Sequence, residues 1–281
     1  MYNFKQVGID NKSIKEVSAL LSQVFTTTNK FTAEFIEWEY AKNPNGSIIG
    51  FNAFAGELLV AHYATQPMIA IINGKKTKGL ISLNLAVHPE HRGKELFIKI
   101  ARMTHEFAAK NGYKFVYGVA NANSTHGHIK NLNFQFVSPL ITKIGFGKII
   151  HKPSANNYDF KRVWTQEDLK WRLNNPSLKY YKNKNKIIVP TGKIGLNAIM
   201  CDLNENQLSK ENLIENFKGL NIFKLNVGLD SSIDWKKSFY FDVPKRFKSS
   251  PLNLIFKDLS NEGTLINPKK VKFEIIDFDG Y

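Results

Sequence analysis

A basic loop between an apolar strand and an amphipathic helix is the part of this sequence whose residues could bind a charged ligand. Residues 85–100 read LAVHPEHRGKELFIKI. The first turn of a helix leaves backbone N–H groups unpaired, and the aligned peptide dipoles add partial positive charge there. Arg92 and Lys94 add formal charge, and Gly93 lets the backbone approach a ligand closely. The segment predicts a site for a phosphate-bearing ligand, and the alternative is a solvated turn.

The elements that must position this loop follow from hydrophobic periodicity. Helical spacing predicts helices over residues 13–25, 32–42 and 94–110, with Thr32 as an N-cap. Asn73-Gly74 is typical of a hairpin turn within an antiparallel meander that precedes the loop. A short helix is expected to end at Leu132, and strand patterns cover residues 48–54, 58–64, 68–72, 79–87, 115–120 and 134–146.

The second half of the chain repeats an early signature. Trp38 and Trp171 each lie on a predicted helix, and each is followed a few residues later by Asn-Pro. The order of elements favours a tandem duplication; the alternative is that the two segments are unrelated, because helices commonly end before Asn-Pro. The predicted division is residues 1–150 and 158–281, with residues 151–157 as a linker. The second half adds strands over residues 186–189, 193–200 and 222–227 and a helix over residues 210–217, without a second basic loop.

The composition limits the classes of function. The chain has 281 residues, a net charge of +15 and 43% hydrophobic residues, as expected of a folded globular protein. The charge suits phosphate-rich partners, but it also fits a general compositional bias toward lysine. The basic residues are scattered instead of forming one basic and aromatic face, so nucleic acid is not expected as a partner.

Cysteine content and apolar runs limit the cellular setting. Cys201 is the single cysteine, which excludes an intramolecular disulfide and a multi-cysteine metal site, so no metal is expected. It is interpreted as a core residue, the alternative being a reactive thiol. No apolar run approaches the roughly 18–20 residues that cross a bilayer. The N-terminal residues lack the apolar core of a signal peptide, so a cytoplasmic protein is expected.

The succession of elements resembles a known enzyme superfamily. Two helices, a meander, a strand ending in VHPEHRGK, a long helix, a strand and an Asn-rich turn resemble the GNAT superfamily of acyl-CoA-dependent N-acetyltransferases over about residues 14–136. Val87, Pro89 and Arg92-Gly93-Lys94 match the family's pyrophosphate loop. Glu95 and Phe97 depart from it, because the family has glycine or alanine there. The resemblance implies an α/β (α+β) fold with a mixed, mostly antiparallel sheet flanked by helices and duplicated in tandem.

The resemblance also implies a donor and its binding residues. The donor would be acetyl-CoA, with its pyrophosphate on the basic loop and its pantetheine along the backbone of residues 84–87. The strand over residues 115–120 would form the other lip of the cleft. Plain turn chemistry is the alternative for the two asparagines that follow it. The implied cofactor-binding residues are Leu85, Ala86, Val87, Arg92, Gly93, Lys94, Glu95, Leu96, Asn121 and Asn123.

The residues available for acid–base chemistry differ from the family's usual set. Many GNAT enzymes use a tyrosine as the acid for the leaving thiolate, and the corresponding position here is Ile129. Ser124, His126 and His128 lie nearby and could substitute, because a histidine suits a general base for an amine. The alternative is a polar surface role. His62, in the middle of a meander strand, is the fourth candidate catalytic residue.

The opening WEYAKNPNG, the basic loop and the second half resemble acetyltransferases of bacterial surface-polysaccharide and amino-sugar pathways. This resemblance implies an amino sugar as acceptor, nucleotide-linked, with Trp38 and Tyr40 as substrate-binding residues; the alternative for Trp38 is a core position. Two other functions stay open: a tandem-GNAT transferase of the aminoacyl or peptidoglycan type, and an inactive CoA-binding protein. A homo-oligomer is possible.

Overall fold

The computed structural model describes residues 1–153, 157–202, 214–244 and 250–278. These residues form a mixed, mostly antiparallel sheet of fifteen strands with helices packed against its faces. The α/β class expected from the sequence is confirmed.

The N-terminal half contains the long helices and the meander. Its elements in chain order are β1 (Tyr2–Gln6), α1 (Asn11–Val24), α2 (Ala33–Ala41), β2 (Ile49–Ala55), β3 (Leu58–Ile72), β4 (Lys75–Val87), α3 (Leu96–Lys110), β5 (Phe115–Ala120), α4 (Ala122–Leu132), β6 (Gln135–Pro139) and β7 (Ile141–Gly145).

The C-terminal half is built mainly of short strands. Its elements are β8 (Phe160–Arg162), α5 (Gln166–Leu173), β9 (Tyr181–Asn183), β10 (Lys186–Pro190), β11 (Leu196–Asp202), β12 (Phe223–Asp230), β13 (Tyr240–Asp242), β14 (Asn253–Asp258) and β15 (Val271–Phe273). Of the helix predicted over residues 210–217, the first four residues lie outside the described ranges. The other four are not helical, and Asn216 bridges to Lys182.

Helix ends follow local capping chemistry. The carboxylate of Asp10 accepts N–H bonds from Lys12 and Ser13 and starts α1, and the Thr32 hydroxyl starts α2. The apolar stripe of α1 is buried on one face of the sheet, whereas α3 packs its stripe on the other face. These two cores fix the position of the strands between them.

β3 is one strand of fifteen residues where the sequence predicted two. It runs straight through Pro67, whose register partner on β4 is Leu80. On its other side, β2 pairs only as far as Thr65 and β8 begins at Ala70. The Asn43 side chain donates to the Pro67 carbonyl in this gap, so the missing proline N–H costs no ladder bond. The structure also adds β1, and it divides the predicted strand over residues 134–146 into β6 and β7.

The two halves exchange strands. β14 from the C-terminal half lies between β5 and β6, antiparallel to both. In the same way, β7 from the N-terminal half lies between β12 and β13. One sheet therefore contains strands from both sides of residues 151–157, and the division of the chain there stays a prediction.

Candidate functional site

The candidate site is a cleft where two parallel strands separate. β4 and β5 pair only at Leu80 with Val116 and at Ile81 with Tyr117. Beyond these pairs β4 stays bonded to β3 and β5 to β14, so their ends diverge. The cleft between them has a volume of about 400 Å³. Its residues are Phe25, Thr27, Thr28, Lys30, Phe31, Ile81, Ser82, Leu83, Asn84, Leu85, Gly118, Val119, Ala120, Asn121, Ser124, His128, Leu252, Ile255 and Phe278.

A bulge in β4 shapes one wall of the cleft. His62 pairs with Ala86 and Ala64 pairs with Leu83, so two residues of β4 lie opposite one residue of β3. Asn84 takes a φ of +43°, a left-handed conformation that turns the chain at the bulge. Asn84 and Leu85 consequently have no register partner on β3. Their backbone groups can bond a ligand in the cleft.

The basic loop leads from β4 into α3 as the sequence predicted. Gly93 has a φ of +74°, and a Cβ there would meet no heavy atom within 4 Å, so the backbone conformation favours glycine. Arg92 and Lys94 are exposed, while Leu96 is buried in the core. Glu95 is exposed as well, so its carboxylate can be hydrated beside a bound phosphate.

The start of α3 leaves its first-turn N–H groups available. Its N-cap residue, Glu95, has a left-handed φ of +54° and makes no side-chain cap hydrogen bond. Ala86 is buried and Val87 half-buried, and both follow the bulge on β4. The Arg92 Nε donates to the Val87 carbonyl at 3.4 Å, which ties the loop to the strand end.

The opposite wall begins at Asn121, directly after β5. Its Oδ1 accepts from the backbone N–H of Ser124 at 2.9 Å and caps α4, and the Ser124 hydroxyl donates to it at 3.1 Å. Asn121 and Ser124 both line the cleft. Asn123 and His126 are exposed and are not part of the lining. The turn-cap interpretation of Asn121 is therefore correct, and its place in the cleft wall is compatible with it.

His128 is the titratable cleft residue on α4. Its Nδ1 lies 2.8 Å from the Ser124 carbonyl, so Nδ1–H is the donor and Nε2 carries the lone pair. Burial lowers the pKa of His128 below its usual value, and the Ser124 bond opposes this shift. The rings of Phe97 and Phe134 pack against it at centroid distances of 5.4 and 5.2 Å. His128 is therefore a neutral imidazole near physiological pH.

The structure places His62 in the core instead of the cleft. The side chain is fully buried, with Nε2 2.7 Å from the Tyr40 hydroxyl and Nδ1 2.6 Å from Asn52 Oδ1. Burial lowers the pKa of His62 to about 3. The expectation of a cleft-facing base failed because both ring nitrogens are engaged by buried partners, which strand alternation could not show.

Trp38 and Tyr40 are also core residues. Trp38 stacks on Trp171 and packs against Phe35, and Tyr40 is fully buried beside His62. Neither can stack on a sugar. The alternative interpretation of Trp38, a tryptophan in the core, is the correct one.

A buried polar network lies behind the bulge. The Asn84 amide donates to Glu39 Oε2 at 2.6 Å and to the Tyr40 hydroxyl at 3.1 Å. The Tyr40 hydroxyl donates in turn to His62, whose Nδ1–H donates to Asn52. This hydrogen-bond network fixes the position of the Asn84 side chain and thereby stabilises the left-handed turn at the bulge. The predicted residues His62 and Tyr40 thus reach the cleft through Asn84.

The sequence analysis did not predict that the segment between α1 and α2 would line the cleft. Residues 25–31, between α1 and α2, line the cleft with Thr27, Thr28 and the rings of Phe25 and Phe31. Leu252 and Phe278, from the C-terminal half, line it as well. The signal available was a polar stretch between two amphipathic helices. Leu252 reaches the cleft just before the exchanged strand β14, and Phe278 reaches it from the segment after β15; the sequence carries no local signal for either contact.

The C-terminal half holds a matching but occupied cleft. β11 and β12 are parallel neighbours from Leu196 with Phe223 to Ala198 with Leu225, and no further pairs follow. β15 fills the gap, pairing Phe273 with Leu229, and only about 20 Å³ of space remains. Among the described residues, the space between β11 and β12 has no room for a donor like that of the first cleft.

Two properties of the described residues bear on the chemistry. Over the four described ranges, no group of histidine, cysteine, aspartate and glutamate side chains could hold a metal ion. None of the described helices is long and apolar enough to span a membrane.

Residues 8–129 match the sequence profile of the acetyltransferase (GNAT) domain. This region contains the basic loop, the bulge and the start of α4. No curated protein sequence matches the chain.

Similar folds occur among solved structures, acyltransferases included. A probable N-acyltransferase from Enterococcus faecalis V583 superposes with a TM-score of 0.60 at 11% identity, over 92% of this chain and 73% of its own. Eis1 from Mycobacterium abscessus gives 0.61 at 7% identity, over 92% and 74%. N-myristoyltransferase from Saccharomyces cerevisiae, with bound myristoyl-CoA, gives 0.55 at 11% identity, over 91% and 82%.

These folds extend over both halves of the chain, and the domain match contains the cleft residues of the N-terminal half. The match of residues 8–129 to a GNAT acetyltransferase domain supports an acyltransferase with acetyl-CoA as its acyl donor.

Proposed function

We propose that the protein transfers the acetyl group of acetyl-CoA to the primary amine of a small acceptor, and that the acceptor is an amino sugar, nucleotide-linked. The observation that carries this proposal is one continuous cleft with two different lips. The donor side has Asn84 and Leu85 of β4, which leads into the basic loop, and the other lip has the hydroxyls of Thr27 and Thr28.

The donor would bind along β4. Arg92, Lys94 and the uncapped first turn of α3 suit the two phosphates of CoA, because backbone N–H groups and positive charge converge there. The unpaired backbone at Asn84 and Leu85 suits the amides of the pantetheine arm. Leu96, buried directly after the loop, anchors its conformation.

The reaction needs a proton acceptor and a group that stabilises negative charge. His128 Nε2 would accept the proton that the amine loses when it becomes an amide. The backbone N–H groups of the bulge would stabilise the charge that develops on the thioester oxygen. The hydroxyl of Ser124, four residues before His128, would donate toward the departing thiolate. No tyrosine occupies the usual acid position, Ile129.

The acceptor lip fits a polyhydroxylated ring. Thr27 and Thr28 offer donors and acceptors, and Phe25 and Phe31 offer ring faces in the same segment. The net charge of +15 favours an acceptor with a diphosphate. Stacking on Trp38 and Tyr40 is replaced in this proposal by contact with the lip of residues 25–31.

The test is acetyl transfer to a panel of amines. The protein is incubated with acetyl-CoA and amino-sugar nucleotides, free amino sugars and aminoacyl or peptide amines, and the released thiol is followed. We expect the highest kcat/KM with an amino-sugar nucleotide. His128→Gln should lower kcat by about a hundredfold or more, because general base catalysis contributes about 10²–10⁴.

His126→Gln is the matched control, because that histidine is exposed and outside the cleft, and it should leave kcat unchanged. CoA binding is measured separately by calorimetry. Measurable CoA binding without thiol release for every amine would refute the enzymatic proposal, whereas release with peptide amines alone would refute the amino-sugar acceptor.

A further inference from the structure

An exposed aromatic row crosses three neighbouring strands of the C-terminal half. Phe146 follows β7, and its backbone N–H donates to the Phe239 carbonyl just before β13. The two rings stack, with centroids 5.5 Å apart, and Phe223 of β12 packs edge-on against Phe146 at 6.4 Å. These three phenylalanines therefore lie side by side on one face of β12, β7 and β13.

Further apolar side chains extend this row. Phe241 lies two residues after Phe239 on β13 and so shares its face. Ile222 precedes Phe223 and lies 3.7 Å from the Cβ position of Gly195, which brings the neighbouring Ile194 to the same patch. We call the set the aromatic patch; it comprises Phe146, Ile194, Ile222, Phe223, Phe239 and Phe241.

The patch is unusually open for apolar residues of this size. Phe239 and Phe241 are each 65% exposed, and Ile194 is 96% exposed. Contiguous exposed apolar area of this kind marks an interaction surface. β13 has β7 as its strand partner within the described residues, so the patch reaches an edge of the sheet.

Exposed lysines lie close to the patch residues in the sequence. Lys148, Lys193, Lys218 and Lys236 are exposed and lie within four residues of one member of the patch in the sequence. Within the described ranges none of these four takes part in an ion pair. Two exposed carboxylates of the described residues close in sequence to the patch are already paired: Asp242 with Lys143 at 3.0 Å and Glu215 with Lys179 at 3.2 Å. The rim therefore carries uncompensated positive charge.

This combination identifies the chemistry of the partner. A second copy of the chain would bring the same lysines against these ones and add to the repulsion from a net charge of +15. An anionic lipid surface instead accepts the rings at its interface and pairs its head groups with the lysines. We propose that the aromatic patch docks the protein on an anionic membrane surface.

The test is binding to vesicles. Full-length protein is mixed with vesicles of phosphatidylcholine alone, or with about one third phosphatidylglycerol, and the bound fraction is measured by flotation at low and high salt. We expect binding to the anionic vesicles that weakens with salt. Phe239→Ser combined with Phe241→Ser should weaken it at least about tenfold, since it removes two exposed rings from the interface. Lys148→Glu combined with Lys236→Glu should have a similar effect.

Matched controls separate this surface from general effects. Leu58→Ser and Leu265→Ser alter exposed apolar residues outside the patch, and Lys15→Glu with Lys110→Glu alters charge on α1 and α3. These controls should bind like the wild type, and all variants should keep its thermal melt and its rate of acetyl transfer.

Two results would overturn the proposal. One is anionic binding that is absent, or equal in patch and control variants. The other is a different partner for the patch. This would be shown by a dimer in analytical ultracentrifugation that the phenylalanine variants dissociate, or by an RNA duplex that the protein binds more tightly than the vesicles.

Discussion

Trp38 and Trp171 stack with their ring centroids 4.7 Å apart, and each indole N–H donates to the backbone carbonyl of the other. The two bonds measure 3.0 and 3.1 Å, so the contact is the same when read from either residue. This contact and the reciprocal exchange of β7 and β14 join the two halves of the chain symmetrically, and the tandem duplication stays a prediction.

The tryptophan contact should join the two halves into one folding unit. Trp171→Ala removes a buried ring from this contact and should cost about 3–5 kcal/mol of unfolding free energy. Trp171→Phe keeps much of the packing and loses one hydrogen bond, so about 1 kcal/mol is expected. Urea unfolding followed by fluorescence and by far-ultraviolet circular dichroism measures both.

Trp235→Phe is the control, because that half-buried tryptophan packs against Tyr240 away from the pair. Both probes should give one coincident transition in the wild type. Two separate transitions in the wild type would contradict the single unit.

The left-handed residue at the start of α3 should limit donor affinity. Glu95 places a negative charge near the proposed phosphate site, and its φ of +54° is one that glycine also adopts readily. Glu95→Gly should therefore tighten CoA binding about threefold to tenfold, as calorimetry would measure.

Arg92→Glu is the opposing variant. It should weaken CoA binding at least about tenfold without changing the thermal melt, because Arg92 is exposed. CoA affinity that is indifferent to both substitutions would remove the basic loop from the donor site.

The hydroxyl of Tyr40 should act on catalysis through Asn84. Tyr40→Phe deprives both His62 Nε2 and the Asn84 amide of a partner, so the bulge loses part of its support. We expect kcat to fall about tenfold with a smaller change in the KM for acetyl-CoA, since the pyrophosphate loop is untouched. A stability loss of about 1–3 kcal/mol should accompany it.

Steady-state kinetics with both substrates measures this split. Tyr158→Phe, which removes a hydroxyl bound to Asp230 in the C-terminal half, is the matched control. An unchanged kcat in Tyr40→Phe would show that the network does not position the bulge.

A buried histidine should make the fold sensitive to acid. Burial lowers the pKa of His105 to about 3, with the charges of Lys257 and His128 acting in the same direction. In the unfolded chain His105 has its ordinary pKa of 6.5, so above that pH it is neutral in both states and does not reduce the free energy of unfolding. As the pH falls from 6.5 toward 3, only the unfolded chain binds the proton, and free energy of unfolding is lost.

His105→Phe should remove this contribution. Relative to the wild type, the variant should gain up to about 1.4 kcal/mol per pH unit below pH 6.5, measured by urea unfolding at several pH values. His126→Phe, at an exposed position, should show no such gain. A parallel pH profile for His105→Phe and wild type would exclude the effect.

Local pattern predicted the elements that carry the donor loop. The periodicity of residues 94–110 and the apolar run of β5 are local signals, so α3 and β5 appear close to their expected bounds. Pro67 shows the limit of such signals, because a proline is tolerated within β3 only where neighbouring strands leave a gap.

The environment of a side chain was less predictable than its element. His62 lies on the expected strand, but its burial depends on α2, which brings Tyr40 against it. Thr27 and Phe278 come together in the cleft from opposite ends of the chain. Such contacts between distant segments have no local pattern from which they could be predicted.

The pairing of β14 with β5 has a consequence for synthesis on the ribosome. Ala120, at the end of β5, pairs with Asn253, so the β5 wall of the cleft is completed by a strand that begins 133 residues later in the chain. A nascent chain emerging from the ribosome would expose the open edge of β5 until that segment arrives. An active cleft should consequently form during synthesis only after β14 has left the exit tunnel.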